Sequence, residues 1–296
     1  MASNSHEGPD FICIGMPKSG TGWLFDQLKY HPDFWMPPIK ELAYLSHGTP
    51  RLKAAQRRFD AANTAGGLQK FSDWANRRTD DSRDLAFLKE VNDSVGREID
   101  LEFYSALFSY KEGALSGDIS SGYGLVDPEI VSGLEQRLPS TKIFLLVRDP
   151  VARAWSHISM WHRAGTVEKA LLRDPDAFRN FLEGSVHLQK ISFPSRIVAH
   201  WREAAPTLKF RSFLFDEIAE NPVAARREIL LYLGADPGKQ SGPLEAGYNK
   251  KATNKKLKLH DRAKSVLVDY FKEELAACAE LFGERGKIWA RRYGVL

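Results

Sequence analysis

Phe11-Ile12-Cys13-Ile14-Gly15-Met16-Pro17-Lys18-Ser19-Gly20-Thr21-Gly22-Trp23 is the stretch that decides the fold. Its first four residues form an apolar run without polar alternation, the pattern of a strand buried on both faces. Gly15 and Pro17 end that run. From Thr21 onward Trp23, Leu24 and Leu28 recur at helical spacing, which predicts a helix to Lys29. A strand–turn–helix junction aims unpaired backbone N–H groups and the positive end of the helix dipole into the turn. Glycines let the backbone close around an anion. Lys18 adds a full charge, and Ser19 and Thr21 add hydroxyl donors. The loop departs from the Walker A pattern, in which Lys follows the second Gly directly and a Ser or Thr then holds magnesium. Here the lysine stands two residues before Gly20, and Thr21 and Gly22 follow. A nucleotide without a β,γ-diphosphate, bound without metal, accounts for the difference. A turn-rich connection with no ligand is the alternative.

Working outward, Ile143-Phe144-Leu145-Leu146-Val147 is a second apolar run, cut off by Arg148-Asp149-Pro150, with a helix expected over 151–162. Ligands of parallel α/β sheets bind at the carboxyl ends of the strands. That is where Arg148 falls, and Ser156 lies in the second turn of the following helix. One guanidinium and one hydroxyl suit a second phosphate; pairing of Arg148 with a carboxylate is the alternative. A third strand is expected over 211–215. The helix beyond it has Asn221 to cap it, Pro222 for its first turn and Gly234 just past its end. Strands of this kind, each followed by a helix, argue for an α/β fold with a mainly parallel sheet covered on both faces. Residues 46–110 read as a mostly helical insertion, and 262–282 as one long amphipathic helix.

Composition narrows the class. The chain has 296 residues, 43% of them hydrophobic and 27% charged, which suits a protein with a substantial core. A formal net charge of +4 suits phosphate or sulfate ligands and is too small to argue for nucleic acid. Two cysteines, Cys13 and Cys278, make neither a disulfide framework nor a zinc site. Residues 1–10 lack the apolar core of a signal peptide, and no stretch is long and apolar enough to span a bilayer. The expectation is a soluble, cytoplasmic protein.

Taken together, the two motifs resemble those of sulfotransferases that use 3′-phosphoadenosine 5′-phosphosulfate (PAPS). Pro17 to Trp23 is similar to that family's 5′-phosphosulfate loop. Arg148 to Ser156 is similar to its 3′-phosphate motif, with the same Arg-to-Ser spacing. The likeness extends through Leu101 to Phe108, Gly117-Asp118-Ile119-Ser120, the segment from Ser212 to Gly234, and Trp289. It implies one sulfotransferase-like domain over 1–296, a P-loop-like three-layer α/β/α fold with a central mainly parallel sheet. His31-Pro32-Asp33 and Lys40-Glu41-Leu42-Ala43-Tyr44-Leu45 resemble the bacterial and carbohydrate branch, whose proposed base matches Glu41. Three departures stand out. Gly22 replaces a frequent Thr, Asp118 stands where Glu or Lys is common, and Ser121 replaces a frequent Pro.

The resemblance implies transfer of a sulfuryl group from PAPS to a hydroxyl or amine, releasing 3′,5′-adenosine bisphosphate (PAP), with no metal. Glu41 would be the general base, with His47 the runner-up. Lys18 would stabilise the leaving phosphate, with the backbone of Ser19, Gly20, Thr21 and Gly22. Arg148 and Ser156 would hold the 3′-phosphate, and Trp23 would lie near the adenine or open the core of its helix. Residues 239–258 hold six lysines and one acid. In the family a basic loop here closes over the 3′-phosphate, which points to Asn249, Lys250 and Lys251; a solvated loop is the alternative. The acceptor site is expected in 46–110, and small-molecule, carbohydrate and lipid acceptors all fit. Two rivals stand: a P-loop NTPase or small-molecule kinase, and a non-catalytic anion-binding protein of the same fold.

Overall fold

A computed structural model describes residues 8–47, 81–94, 98–239, 245–247 and 257–296. Its sheet has four parallel strands: β1 (Phe11–Cys13), β2 (Gly117–Ile119), β3 (Lys142–Val147) and β4 (Phe210–Leu214), in the order β2-β1-β3-β4. The helices are α1 (Thr21–Lys29), α2 (Tyr44–His47), α3 (Asp81–Asp93), α4 (Leu101–Ala106), α5 (Pro128–Arg137), α6 (Pro150–Arg163) and α7 (Pro175–Gly184). There follow α8 (Val186–Ser192), α9 (Pro194–Ala204), α10 (Phe215–Glu220), α11 (Pro222–Leu233), α12 (Asp261–Tyr270), α13 (Lys272–Leu281) and α14 (Gly283–Arg292).

Successive strand residues point to opposite faces, and both faces are buried. Ile12, Ile143, Leu145 and Val147 enter one core with Val151 and Ile158 of α6 and Ile197 and Trp201 of α9. Phe11, Cys13, Phe144, Leu146 and Phe213 enter the other with Leu24 and Leu28 of α1 and Ile229, Leu230 and Leu233 of α11. This is the three-layer arrangement expected. Phe144 touches both Phe11 and Phe213 at centroid distances of 5.8 and 5.7 Å. Its truncation to Ala costs on the order of 3–5 kcal/mol.

The predicted boundaries of α1 and α11 hold. Asn221 accepts from the Ala224 N–H, Pro222 opens α11, and Gly234 closes it at φ 90°. Two readings change and one strand is new. Phe215 opens α10 rather than ending β4. Gly117–Ile119 is a strand, too short to announce itself as an apolar run. The expected single helix over 262–282 is two helices broken at Phe271 (φ −101°, ψ 12°). The bend lets Val266 and Leu267 of α12, Phe271 itself, and Leu275 and Cys278 of α13 all enter one core. Helix α14 then crosses α13 at Gly286, where a Cβ would lie 2.0 Å from the Cys278 carbonyl oxygen. The described parts of 46–110 are largely helical, in α3, α4 and a 3-10 turn at Leu107–Lys111. Among the described residues no helix is long and apolar enough to cross a membrane.

Candidate active site

After β1 the chain stays stapled to β3. The N–H groups of Ile14 and Met16 donate to Phe144 O and Leu146 O, and Leu146 N–H donates to Gly15 O. The turn over Pro17–Gly20 therefore opens beside Arg148, two residues past Leu146. β1 lies between β2 and β3, so this is also where the strand order switches direction, the usual place for a ligand crevice. Lys18 and Gly20 both adopt left-handed backbone, at φ 73° and 100°. For lysine that conformation is costly and persists only when its surroundings enforce it. Gly20 caps α1 and has no side chain to bond the first N–H groups of the helix. Ser19 is fully buried, and its Oγ has no hydrogen-bond partner among the described residues. Such a donor fits an anion cradled by the loop, since burying an unpaired hydroxyl is otherwise unfavourable. Thr21 is buried, Gly22 half-buried, and Lys18 Nζ lies 3.8 Å from Met160 Sδ of α6.

The second motif meets the first directly. Arg148 Nη1 donates to the Lys18 carbonyl at 3.1 Å, and its guanidinium lies 4.6 Å from the Phe215 ring centre. Phe215 also underlies Gly20, where an added Cβ would approach its ring to 3.3 Å. The ends of β1, β3 and β4 thus converge, and Phe215 is a site residue that the sequence did not single out. The adjacent carboxylate is occupied elsewhere. Asp149 caps α6 through the Val151 and Ala152 N–H groups and accepts from Arg292 and the Tyr293 hydroxyl. Among the described residues Arg148 has no salt bridge, so the carboxylate-pairing alternative does not hold there. Burial pulls the Arg148 guanidinium below its ordinary pKa, partly offset by Asp149 and Asp216. Ser156 is half-buried on α6, in its second turn.

Two further side chains of α6, a buried arginine and a buried histidine, escaped the sequence reading. Arg153 is fully buried; Nη2 donates to Ser192 Oγ at 2.5 Å, while Nε and Nη1 have no hydrogen-bond partner among the described residues. Burial, with Arg148 adding to it, pushes its pKa down to about 9. His157 is one helical turn further on, so it shares that face. Burial first, then the charges of Arg153, His187 and Lys18, push its pKa down to about 3. Lys18, Arg148 and Arg153 therefore create a positive field in which an anion is favoured. The signal available in the sequence was the four-residue spacing of Arg153 and His157; their burial is a tertiary fact.

Glu41 is brought to the same edge. Its Oε1 accepts from Lys40 Nζ at 2.8 Å and from Ser121 Oγ at 3.0 Å. Ser121 follows β2, and its carbonyl oxygen would lie 3.3 Å from a Cβ built on Gly15. The hydroxyl standing where proline is frequent is thus a ligand of Glu41. Glu41 and Ala43 are both left-handed, at φ 63° and 55°. His47 ends α2, and its side chain lies outside the described residues. Trp23 is half-buried against the second core, and its indole N–H donates to Ala246 O at 2.7 Å. Gln27 donates to Glu245 O, and Trp155 of α6 donates to Leu257 O. The two motif helices therefore anchor the described residues on either side of 248–256. Asn249, Lys250 and Lys251 lie outside the described residues. Lys239, from the same basic segment, pairs with Asp33.

The chain matches the model of the family described as "Sulfotransferase family" over residues 9–237. It is similar in structure to a crystallised sulfotransferase from Alicyclobacillus acidocaldarius, with TM-score 0.58 and 20% identity, covering 95% of this chain and 98% of that one. It also aligns with the sulfotransferase domain of the Synechococcus PCC 7002 olefin synthase, at TM-score 0.49 and 16% identity, covering 90% and 96% of the two chains. No curated protein matches the sequence.

Proposed function

The chain belongs to the sulfotransferase family, and from that premise we propose that it moves a sulfuryl group from PAPS to a hydroxyl or amine, without metal, in one in-line displacement. The observation that carries this reading is the hydrogen bond between Arg148 and the Lys18 carbonyl, which joins two anion-binding motifs at one edge of the sheet. One motif suits the 5′-phosphosulfate and the other the 3′-phosphate. The bound donor supplies an activated sulfuryl group on a phosphate leaving group. Lys18, Ser19 and the N–H groups opening α1 hold the charge that grows on that phosphate; such preorganised donors are usually the largest catalytic contribution. Arg148, seated on Phe215, and Ser156 grip the 3′-phosphate and fix the donor's position. Asn249, Lys250 and Lys251 complete that grip. Glu41 takes the acceptor proton as the new O–S or N–S bond forms. Its hydrogen bonds from Lys40 and Ser121 fix the carboxylate in place. No covalent enzyme intermediate forms.

The test is release of PAP from PAPS, in EDTA, across a panel of phenol, sugar and lipid acceptors. Acceptor-dependent release is expected, falling by about 100-fold or more in Glu41→Gln. Full turnover in Glu41→Gln removes Glu41 as the base. A wild type silent with every acceptor, yet active with ATP and magnesium, replaces the reading with a kinase.

A further inference from the structure

The turn that carries Glu41 is held by one buried carboxylate. Asp118 of β2 is 1% exposed. Its Oδ1 accepts from Ser120 Oγ at 2.6 Å, and its Oδ2 accepts from the hydroxyls of Tyr123 at 2.7 Å and Tyr104 at 3.2 Å. A carboxylate offers about four lone-pair positions, and three hydroxyls occupy them here. Such pairing is the condition under which a charged group is tolerated in a core.

Two of the hydroxyls reach further. Ser120 Oγ also accepts from the Ala43 N–H at 2.9 Å, and the Tyr123 hydroxyl also accepts from the Leu45 N–H at 3.3 Å. A backbone N–H only donates, so each hydroxyl must turn its own proton toward Asp118. The polarity of the whole network follows from one acceptor-only group. Through it the N–H groups of Ala43 and Leu45, shortly after Glu41, each reach Asp118 through one hydroxyl. That backbone includes two non-glycine residues in left-handed conformation, Glu41 and Ala43, which surrounding structure must enforce. Tyr104 ties in α4, and its ring stacks on Tyr44 at 5.8 Å.

We propose that Asp118 is a positioning residue. By accepting from Ser120, Tyr104 and Tyr123, it locks the left-handed turn that aims Glu41 at the anion loop, and it touches neither donor nor acceptor itself. The functional half of this statement rests on Glu41 being the base; the locking of the turn does not. Asparagine is the informative replacement. It matches the shape of Asp but offers an NH2 group to hydroxyls that already point their protons at it.

The experiment compares wild type with Asp118→Asn, Ser120→Ala and Tyr123→Phe by amide hydrogen exchange, by the side-chain carboxyl 13C signal of Glu41 (assigned from its loss in Glu41→Gln), and by calorimetry with PAP. In Asp118→Asn, exchange at Ala43 and Leu45 is expected to rise by about 10-fold or more, because the hydroxyls that accept from them are held by a charged acceptor. The Glu41 signal is expected to move, and PAP affinity to stay within about 2-fold, since the donor loop is held by β3 instead. Ser120→Ala should release Ala43 selectively, and Tyr123→Phe should release Leu45, so the proposal stays testable if the Asn variant does not fold. Unchanged exchange at these amides and an unmoved Glu41 signal in folded variants overturn the proposal. Loss of PAP binding in parallel with the exchange also overturns it, by showing general loosening. Neither the exchange nor the carboxyl signal depends on turnover, so a fully active Glu41→Gln or a wrong donor would be recognised separately.

Discussion

Arg148→Ala separates a phosphate-binding arginine from a structural one, because Arg148 already has a structural partner. Its Nη1 bonds the Lys18 carbonyl at 3.1 Å and its plane is backed by Phe215 at 4.6 Å. The side chain is therefore preorganised, and little ordering entropy remains to be lost on binding. Hydrogen bonds to charged groups contribute about 1.5–3 kcal/mol each. A two-pronged grip on the 3′-phosphate, discounted for the part-buried position, then gives about 3 kcal/mol, or on the order of 100-fold in affinity. The assay is a calorimetric cycle with wild type and Arg148→Ala against PAP and against adenosine 5′-monophosphate, which lacks the 3′-phosphate. Wild type should prefer PAP by about 100-fold, and the variant should lose most of that preference while its affinity for the monophosphate changes by no more than about 3-fold. Equal weakening toward both nucleotides would refute the reasoning, because Arg148 would then act only by holding the Lys18 carbonyl.

Other outcomes follow from the same geometry. Gly20→Ala forces a side chain into left-handed backbone 3.3 Å from the Phe215 ring; it should cost about 1–2 kcal/mol of stability in urea unfolding and weaken PAP binding as well. Stability unchanged in that variant means the turn relaxes freely. His157, held near a pKa of about 3 when folded, binds its proton only in the unfolded chain between that value and about 6.5. The unfolded state then carries more protons, so this contribution is complete above about pH 6.5 and is lost as pH falls. Between pH 7 and 5 wild type should lose about 2 kcal/mol more stability than His157→Asn; equal losses contradict a buried neutral imidazole. Asp118 has the opposite sign. Burial raises its pKa to about 6, so the folded state binds the extra proton between about 3.8 and 6, and that contribution fades as pH rises through 6. Asp118→Asn should remove this slope, and a retained slope assigns it to another group.

What was legible in the sequence was local. The β1 run, the glycine turn and α1 are adjacent in the chain, and Asn221, Pro222 and Gly234 mark α11 by capping chemistry that needs no tertiary contact. The parallel sheet followed from strands without polar alternation. What stayed hidden depends on packing. β2 has only three residues, Gly117, Asp118 and Ile119, and its Asp118 is charged, so no apolar run marks it. The break at Phe271 comes from the core that it fills, not from proline or glycine. The charges of Arg153 and His157 read as ordinary polar positions on a helix until the fold buries them. Ser121 looked like a missing proline, and its hydroxyl proves to bond Glu41. Asp118 looked like a departure from the family pattern, and the donors around it show why an acceptor-only side chain belongs there.

The central claim is that Lys18, Ser19 and Arg148 form one site for a 3′,5′-bisphosphorylated adenosine. The most direct measurement is calorimetric titration of PAP into the wild-type chain in EDTA. The account predicts saturable binding of one PAP per chain, lost in the Lys18→Ala, Arg148→Ala double variant. Absence of binding in the wild type, with ATP and magnesium binding instead, would contradict it.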